Sequence, residues 1–346
     1  MNDTFPLKYT RDDFRSDQVV RWCPGCGDYS ILAQVQRVMP RICAETQTPR
    51  ENVVFISGIG CSSRFPYYMD TYGFHSIHGR APALALGLKI ARPEMQVWVI
   101  TGDGDGLSIG GNHLIHAIRR NIDVKILLFN NRIYGLTKGQ YSPTSELGKK
   151  TKSSPYGVIA QPVNALGLAL ASRATFIART LDTDAKHLQR VLLQAAHHRG
   201  TAFVEILQNC NIFNDGAFDN IKARDVRDDR LLFLEHGKPM RFGADGSKVL
   251  IPSGAAHDTH FAAVAEAGAN MERALVHDEA SENEGFMYAL ANMDYPEFPV
   301  PMGVLRAVEQ ATYEDLVEHQ IEEARERQGP GDLQALLDAG ECWTVE

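Results

Sequence analysis

Of the six cysteines in the 346-residue chain, two stand in Cys23-Pro24-Gly25-Cys26, with Gly27 next. Two thiolates at this spacing can grip one metal centre, and glycine supplies a tight turn that leaves backbone amides free to point at sulfur. Alone, the pair is ambiguous among zinc, a thioredoxin-like redox pair and an iron–sulfur site. A thioredoxin-like pair wants a βαβ setting just upstream, whereas the residues there are polar and irregular. A structural zinc site needs two more ligands. Cys61, in Gly58-Ile59-Gly60-Cys61-Ser62-Ser63, and Cys210, in Gln208-Asn209-Cys210-Asn211, each follow a strand-like run. That places both at the edge where open α/β sheets bind ligands. Cys23, Cys26, Cys61 and Cys210 are therefore the candidate metal-binding set. Cys43, at the far end of a helical run, and Cys342, near the end of the sequence, read as small hydrophobes.

A second set is Gly102-Asp103-Gly104-Asp105-Gly106, directly after the strand-like residues 96–101, with Asn131 28 residues beyond Asp103. Strand, GDG, helix, strand and Asn-Asn in this order resemble the motif that holds thiamine diphosphate through Mg²⁺. Mg²⁺ takes an octahedron of oxygens, usually one or two carboxylates together with phosphate oxygens. Asp103 would supply the charge, Asn131 an amide oxygen and the Ile133 carbonyl a third protein ligand. Glycines let a diphosphate approach the backbone closely, and the start of the next helix favours the anion. A bare GDG could equally be a turn with no ligand; the correctly placed Asn-Asn decides between the two. A dinucleotide fold shares strand–glycine–helix, but GxGxxG is not matched in register. An acid at 103 would also repel a pyrophosphate unless a metal intervened. With this motif in place, an iron–sulfur cluster outranks zinc for the four cysteines.

Such residues need a scaffold that brings several strand ends together. Residues 52–57, 96–101, 124–129, 175–179 and 202–207 are strand-like, and residues 29–39, 82–91, 107–120 and 184–198 have helical spacing or composition. The alternation predicts an α/β fold, a doubly wound, mostly parallel sheet covered on both faces. After about residue 215 the rhythm weakens, although residues 259–275 and 308–328 look helical. The expected organisation is a binding domain over 1–215, with 216–346 an extension packed on it and not a second catalytic unit.

Composition narrows the function class. The chain is 44% hydrophobic and 23% charged, with a net charge of −8 and no basic stripe, which argues against nucleic-acid binding. Residues 301–346 carry eleven acids against three arginines, read as a solvated helical face and end segment. The longest apolar stretch, residues 81–91, is interrupted by Lys89 and too short to span a bilayer. The first residues contain no apolar run, so no secretory signal and a cytoplasmic location are expected.

CPGCG, GIGCSSR, HGRAPALALGLK, GDGDGLSIGGNH, FNNRIYGLTKGQYSPTS and EILQNC occur in that order between residue 22 and about 215. They are similar to successive blocks of the β subunit of two-subunit 2-oxoacid:ferredoxin oxidoreductases. The resemblance implies the thiamine-diphosphate-binding (diphosphate-domain) fold and one [4Fe–4S] cluster on Cys23, Cys26, Cys61 and Cys210. It places Mg²⁺ on Asp103, Asn131 and the Ile133 carbonyl. Ile59, Gly60, Cys61, Ser62, His78, Gly102, Gly104, Asp105, Gly135 and Leu136 would line the cofactor, with Leu136 propping it beneath the thiazolium. Arg64 and His78 would sit near the reacting carbon, Arg64 facing a substrate carboxylate. Their plainer readings are a surface arginine and a structural histidine, and for Leu136 a core leucine.

The implied activity is coenzyme-A-dependent oxidative decarboxylation of a 2-oxoacid, with electrons passed through the cluster to ferredoxin and reversal as reductive carboxylation. The glutamate that acts on the aminopyrimidine is expected from an α subunit, so this chain alone should be inactive. The LTKGQ and SPTS segments resemble members acting on 2-oxoglutarate or on several 2-oxoacids, leaving pyruvate second. Two rivals remain at this point: a non-redox thiamine enzyme with structural zinc, and an electron-transfer module without catalysis.

Overall fold

Val, Ile and Phe dominate the strand-like runs, and such residues suit strands covered on both faces. The computed structural model describes residues 7–253, 261–341, 343 and 345. Its strands are β1 (Val53–Ser57), β2 (Tyr72–His75), β3 (Gln96–Gly102), β4 (Val124–Asn130), β5 (Phe176–Leu181), β6 (Ala202–Leu207), β7 (Leu231–Phe233), β8 (Arg241–Phe242), β9 (Lys248–Pro252), β10 (Ala262–Glu266) and β11 (Val300–Ala307). Eight of them form one sheet in the order β2-β1-β3-β4-β6-β5-β11-β7. Neighbours from β2 to β5 run parallel; β11 is antiparallel to β5, and β7 parallel to β11. β1, β4, β5 and β6 are buried along their whole length.

Alternation along these strands feeds two cores. Val54, Ile56, Val97, Val99, Ile126, Leu128 and Phe203 pack with helices α2 (Ala81–Ala91), α3 (Gly111–Ile118) and α4 (Ala165–Ala171). Phe55, Trp98, Ile100, Leu127, Phe129, Val204 and Ile206 face the other way, onto α1 (Asp28–Thr46) and α5 (Ala185–His197). The doubly wound, mostly parallel α/β sheet expected from the sequence is the architecture found.

Several elements differ from the sequence reading. α1 runs on past residue 39 and through Pro40, because Ile42 and Cys43 continue its buried face. Cys43 is fully buried there, and burial pushes its thiol up to about 12. The helix expected over 107–120 opens with one π-helical turn, Asp105–Ile109, before α3 begins. Residues 262–266 are a strand where helix was expected. Ala-rich composition favours helix, but pairing with β9 overrides that weak local preference. Residues beyond 215 contribute β7 and β11 to the main sheet, besides a separate β10-β9-β8 sheet. Cys342, residues 259–260 and the first six residues lie outside the described residues. No helix among the described residues is long and apolar enough to cross a membrane.

Phe203, near the start of β6, is 0% exposed, whereas Val264 in β10 is 43% exposed. Phe203→Ala should lower the unfolding free energy by about 3–5 kcal/mol. Val264→Ala should cost less than about 1 kcal/mol. Urea unfolding of both variants checks the contrast, and equal losses would contradict this placement of the core.

Candidate active site

Four strands that are neighbours in the sheet, β1, β3, β4 and β6, release their chains at one edge, and nearly every sequence-predicted residue lies in the segments that follow. The Cys23–Cys26 turn reaches the same edge from the start of α1, held by a Cys26 N–H bond to the Cys23 carbonyl (3.0 Å). It is pinned to the segment after β6 by Gly27 N–H on the Asn209 carbonyl (3.1 Å) and by the Asn211 amide on the Pro24 carbonyl (2.6 Å). The Trp22 indole donates to the Cys61 carbonyl (2.7 Å), bringing the post-β1 segment in as well.

Cys23, Cys26, Cys61 and Cys210 line one cavity of about 200 Å³, with Arg64, Asn131, Gly135, Leu136, Lys138 and Phe213 among its other walls. Cys23 is exposed and Cys210 buried. A Cβ on Gly135 would stand 3.4 Å from the Cys210 sulfur and 3.6 Å from that of Cys61, so this loop passes within van der Waals reach of both sulfurs. Burial raises the Cys26 thiol well above its ordinary range and pushes Cys61 up to about 12. Both are thus neutral thiols at ordinary pH until positive charge arrives. Among the described residues, no group of three His, Cys, Asp or Glu side chains is poised to hold a single metal ion; the four thiols surround a volume, not a point.

Asp103 is 2% exposed, and its Oδ2 accepts from the hydroxyls of Ser142 (2.5 Å) and Thr144 (2.6 Å). Burial pushes the carboxyl up to about 6, against those bonds and the backbone amides of residues 103 and 104, which lower it. The Thr144 hydroxyl also lies 2.9 Å from Asn130 Oδ1, and Asn130 donates to Glu205 (2.7 Å), whose other oxygen pairs with Arg179 (2.7 Å). Among the described residues, no hydrogen bond joins Asp103 directly to Asn131. Asn131 Oδ1 accepts from the Ile133 N–H (3.2 Å), shaping the turn, while the Ile133 side chain is buried. The Tyr134 hydroxyl donates to the Gly104 carbonyl (2.8 Å) over a ring that a side chain at 104 would strike. The post-β3 and post-β4 segments are thereby locked together.

Asp105 faces inward, and its four bonds go to this chain's own groups. Oδ1 accepts from Ile59 N–H (3.1 Å) and Gly79 N–H (2.7 Å) and meets His78 Nδ1 at 2.6 Å; Oδ2 accepts from the Thr101 hydroxyl (2.6 Å). A Cβ on Gly58 would overlap this carboxylate. Gly60 beside it has open space above its backbone, and Gly102 faces the buried Ser62 hydroxyl. His78 is half-buried, its ring edge-on to Tyr134. Arg64 is half-buried, donates to the Arg21 carbonyl (2.9 Å) and borders the cysteine cavity; Leu136 is exposed at the same cavity.

Sequence reasoning assigned no role to Ser142, Thr144, Asp28 or Gln208. Ser142 and Thr144 lie within the SPTS segment, whose three hydroxyls and proline were the available signal. Asp28, buried at the start of α1, is pushed up to about 7 by burial and then by Asp182. A larger cavity, about 810 Å³, lies elsewhere, bordered by Phe176, His198, Arg199 and Val308, and holds none of the predicted residues.

Residues 58–206 match the family model described as thiamine pyrophosphate enzyme, C-terminal TPP binding domain. The chain is 51% identical over 341 residues to the 2-oxoglutarate oxidoreductase subunit KorB of Mycobacterium tuberculosis, covering 96% of this chain and 88% of that one. The chain belongs to the 2-oxoacid:ferredoxin oxidoreductase β-subunit family. Another member, 2-oxoacid:ferredoxin oxidoreductase 1 subunit beta of Aeropyrum pernix, is 43% identical over 222 residues, 64% of this chain and 67% of that one. A solved structure of 2-oxoglutarate:ferredoxin oxidoreductase from Magnetococcus marinus, with 2-oxoglutarate, coenzyme A and succinyl-CoA bound, superposes with a TM-score of 0.72. That likeness is at 32% identity and covers 96% of this chain and 97% of the other. A β subunit of this family is part of an enzyme with an α partner, and its thiamine-binding domain spans the segments after β1, β3 and β4.

The raised carboxyl of Asp103 has a thermodynamic consequence. Unfolded, it titrates near 3.8; folded, near 6, so between these values the folded chain holds a proton that the unfolded chain has released. Its contribution to stability is therefore greatest at low pH and declines as pH rises from about 4 to about 6. Asp103→Asn removes this titration. The unfolding free energy of the ligand-free wild type, relative to the variant, should fall across that window in urea titrations. A difference that stays constant with pH would contradict a desolvated carboxyl.

Proposed function

We propose that this chain is the subunit that holds thiamine diphosphate, Mg²⁺ and one [4Fe–4S] cluster in an enzyme converting 2-oxoglutarate and coenzyme A to succinyl-CoA, with electrons delivered to ferredoxin. One observation carries the reading: the four cysteines and the 131–136 segment, which belongs to the thiamine motif, border the same cavity. Four thiols around a volume of this size suit a polynuclear cluster better than one zinc ion. Asp103 suits Mg²⁺ for a different reason. It is a buried carboxylate compensated by hydroxyls and amides, with no basic side chain among the partners that lower it.

When bound, thiamine diphosphate supplies the nucleophilic carbon and the electron sink for decarboxylation, and the cluster accepts electrons singly. In this reading Asp103, Asn131 and the Ile133 carbonyl hold Mg²⁺. Ile59 to Ser62, His78, Gly102, Gly104 and Gly135 shape the bed for the diphosphate, and Asp105 orders that bed through its bonds to Ile59, His78 and Gly79. Leu136 lies under the cofactor, and Arg64 meets the distal carboxylate of the substrate.

The substrate assignment draws on the M. tuberculosis relative, named for 2-oxoglutarate, and on the M. marinus enzyme with 2-oxoglutarate and succinyl-CoA bound. A broader 2-oxoacid range, pyruvate included, is the second reading, favoured by the A. pernix relative named only for 2-oxoacids. An α subunit completes the site, and a fitting surface for it is β2. All four residues of this edge strand are exposed, and Tyr72, Phe74 and nearby Ile77 present apolar surface next to His78. The reaction is reversible as reductive carboxylation, and the enzyme is placed in the cytoplasm.

The test is metal analysis and an anaerobic visible spectrum of the chain co-produced with its α subunit. About four irons per β chain and a broad brown absorbance are expected. That absorbance should bleach faster with 2-oxoglutarate plus coenzyme A than with pyruvate plus coenzyme A. A colourless protein with one zinc would leave a non-redox thiamine enzyme as the better account.

A further inference from the structure

Gln208 follows β6 directly and is 0% exposed. Its backbone N–H continues the sheet ladder to the Asn130 carbonyl (2.9 Å). Its side-chain nitrogen lies 2.7 Å from the Asn209 carbonyl oxygen and 3.3 Å from the Cys26 sulfur. The orientation of the amide follows from chemistry: a carbonyl oxygen has no hydrogen to give, so the atom facing it at 2.7 Å must be the nitrogen. With one N–H spent on Asn209, the second points at sulfur. The other end of the amide, Oε1, is buried with no hydrogen-bond partner. A buried acceptor left without a donor is costly. The amide is therefore held in place by what its nitrogen does. The backbone N–H of Asp28 converges on the same sulfur.

We propose that Gln208 tunes the reduction potential of the iron–sulfur cluster by donating a hydrogen bond to the Cys26 thiolate, an inference that rests on the four-cysteine cluster described above. Reduction adds negative charge that spreads onto the ligand sulfurs, and an N–H aimed at one of them stabilises the reduced state more than the oxidised state. The donor therefore makes the cluster easier to reduce. Burial of the Gln208 amide strengthens the effect, because the donor itself is out of contact with water. Gln208 is a positioning and tuning residue in this account; it does not bind iron.

The experiment is an anaerobic redox titration of the α–β complex, followed by the electron paramagnetic resonance of the reduced cluster, for the wild type and Gln208→Leu. Leucine fills the space and removes the N–H. The variant should keep its iron and shift its midpoint potential to a more negative value. An unchanged potential with iron intact overturns the tuning role alone. A wild-type complex without iron overturns the cluster reading, and the inference with it. Should Gln208→Leu fail to fold or lose iron, wild-type complex labelled with ¹⁵N in glutamine side-chain amides decides the matter. A ¹⁵N coupling to the reduced cluster supports the bond, and absence of coupling overturns it.

Discussion

One carboxylate holds this site in shape. Asp105 collects donors from three separate segments: Ile59 after β1, the His78-Gly79 turn before α2, and Thr101 at the end of β3. Hydrogen bonds to a charged acceptor are worth about 1.5–3 kcal/mol each. The carboxylate can be reached because Gly58 has no side chain to occupy its place and because Gly79, at φ +69°, gives its N–H to the carboxylate while the space its side chain would need is filled by the backbone of Gly110. Asp105 is also the first residue of the π-helical turn. The same residue thus sets the start of the helix and the course of the segment that carries Cys61.

Around this anchor the edge of the sheet is built as an electronegative and under-compensated place. Asp103 and Asp28 are buried acids pushed above their ordinary range, and Cys26 and Cys61 are buried thiols pushed the same way. Elsewhere the chain treats buried charge differently. Asp123, at the opposite end of β4, is held down to about 2, its burial outweighed by Lys125 and Lys89. Arg179 and Glu205 likewise pair directly in the interior. The contrast is physical: acids and thiols left short of positive charge at a strand-end crevice are suited to receive a cationic guest, and those matched by lysine or arginine are structural.

Much of this was legible in the sequence because it resides in local pattern. The five main strands are runs of β-branched and aromatic residues, and the two motifs sit directly at their ends. What stayed hidden depends on contacts distant in the chain. Ser142 and Thr144 reach Asp103 across about forty positions, and Gln208 reaches Cys26 across 182. No spacing rule connects such pairs. β10 was read as helix because its alanines favour helix locally, and only its partner β9 makes it a strand. Asp105 was expected only to line the cofactor, and its partners, supplied by three segments, emerge from the fold alone.

The proposal's central claim is that a thiamine site and the cysteine cavity form one functional unit, and it rests on Asn131, Gly135 and Leu136, assigned to the thiamine motif, lining the cysteine cavity. The direct test is rapid-mixing absorbance of the anaerobic α–β complex, with and without thiamine diphosphate and Mg²⁺, after addition of 2-oxoglutarate and coenzyme A. Bleaching of the iron–sulfur absorbance only when the thiamine cofactor is present is the predicted result. Bleaching at the same rate without it, or none with cluster and cofactor both bound, would contradict the account.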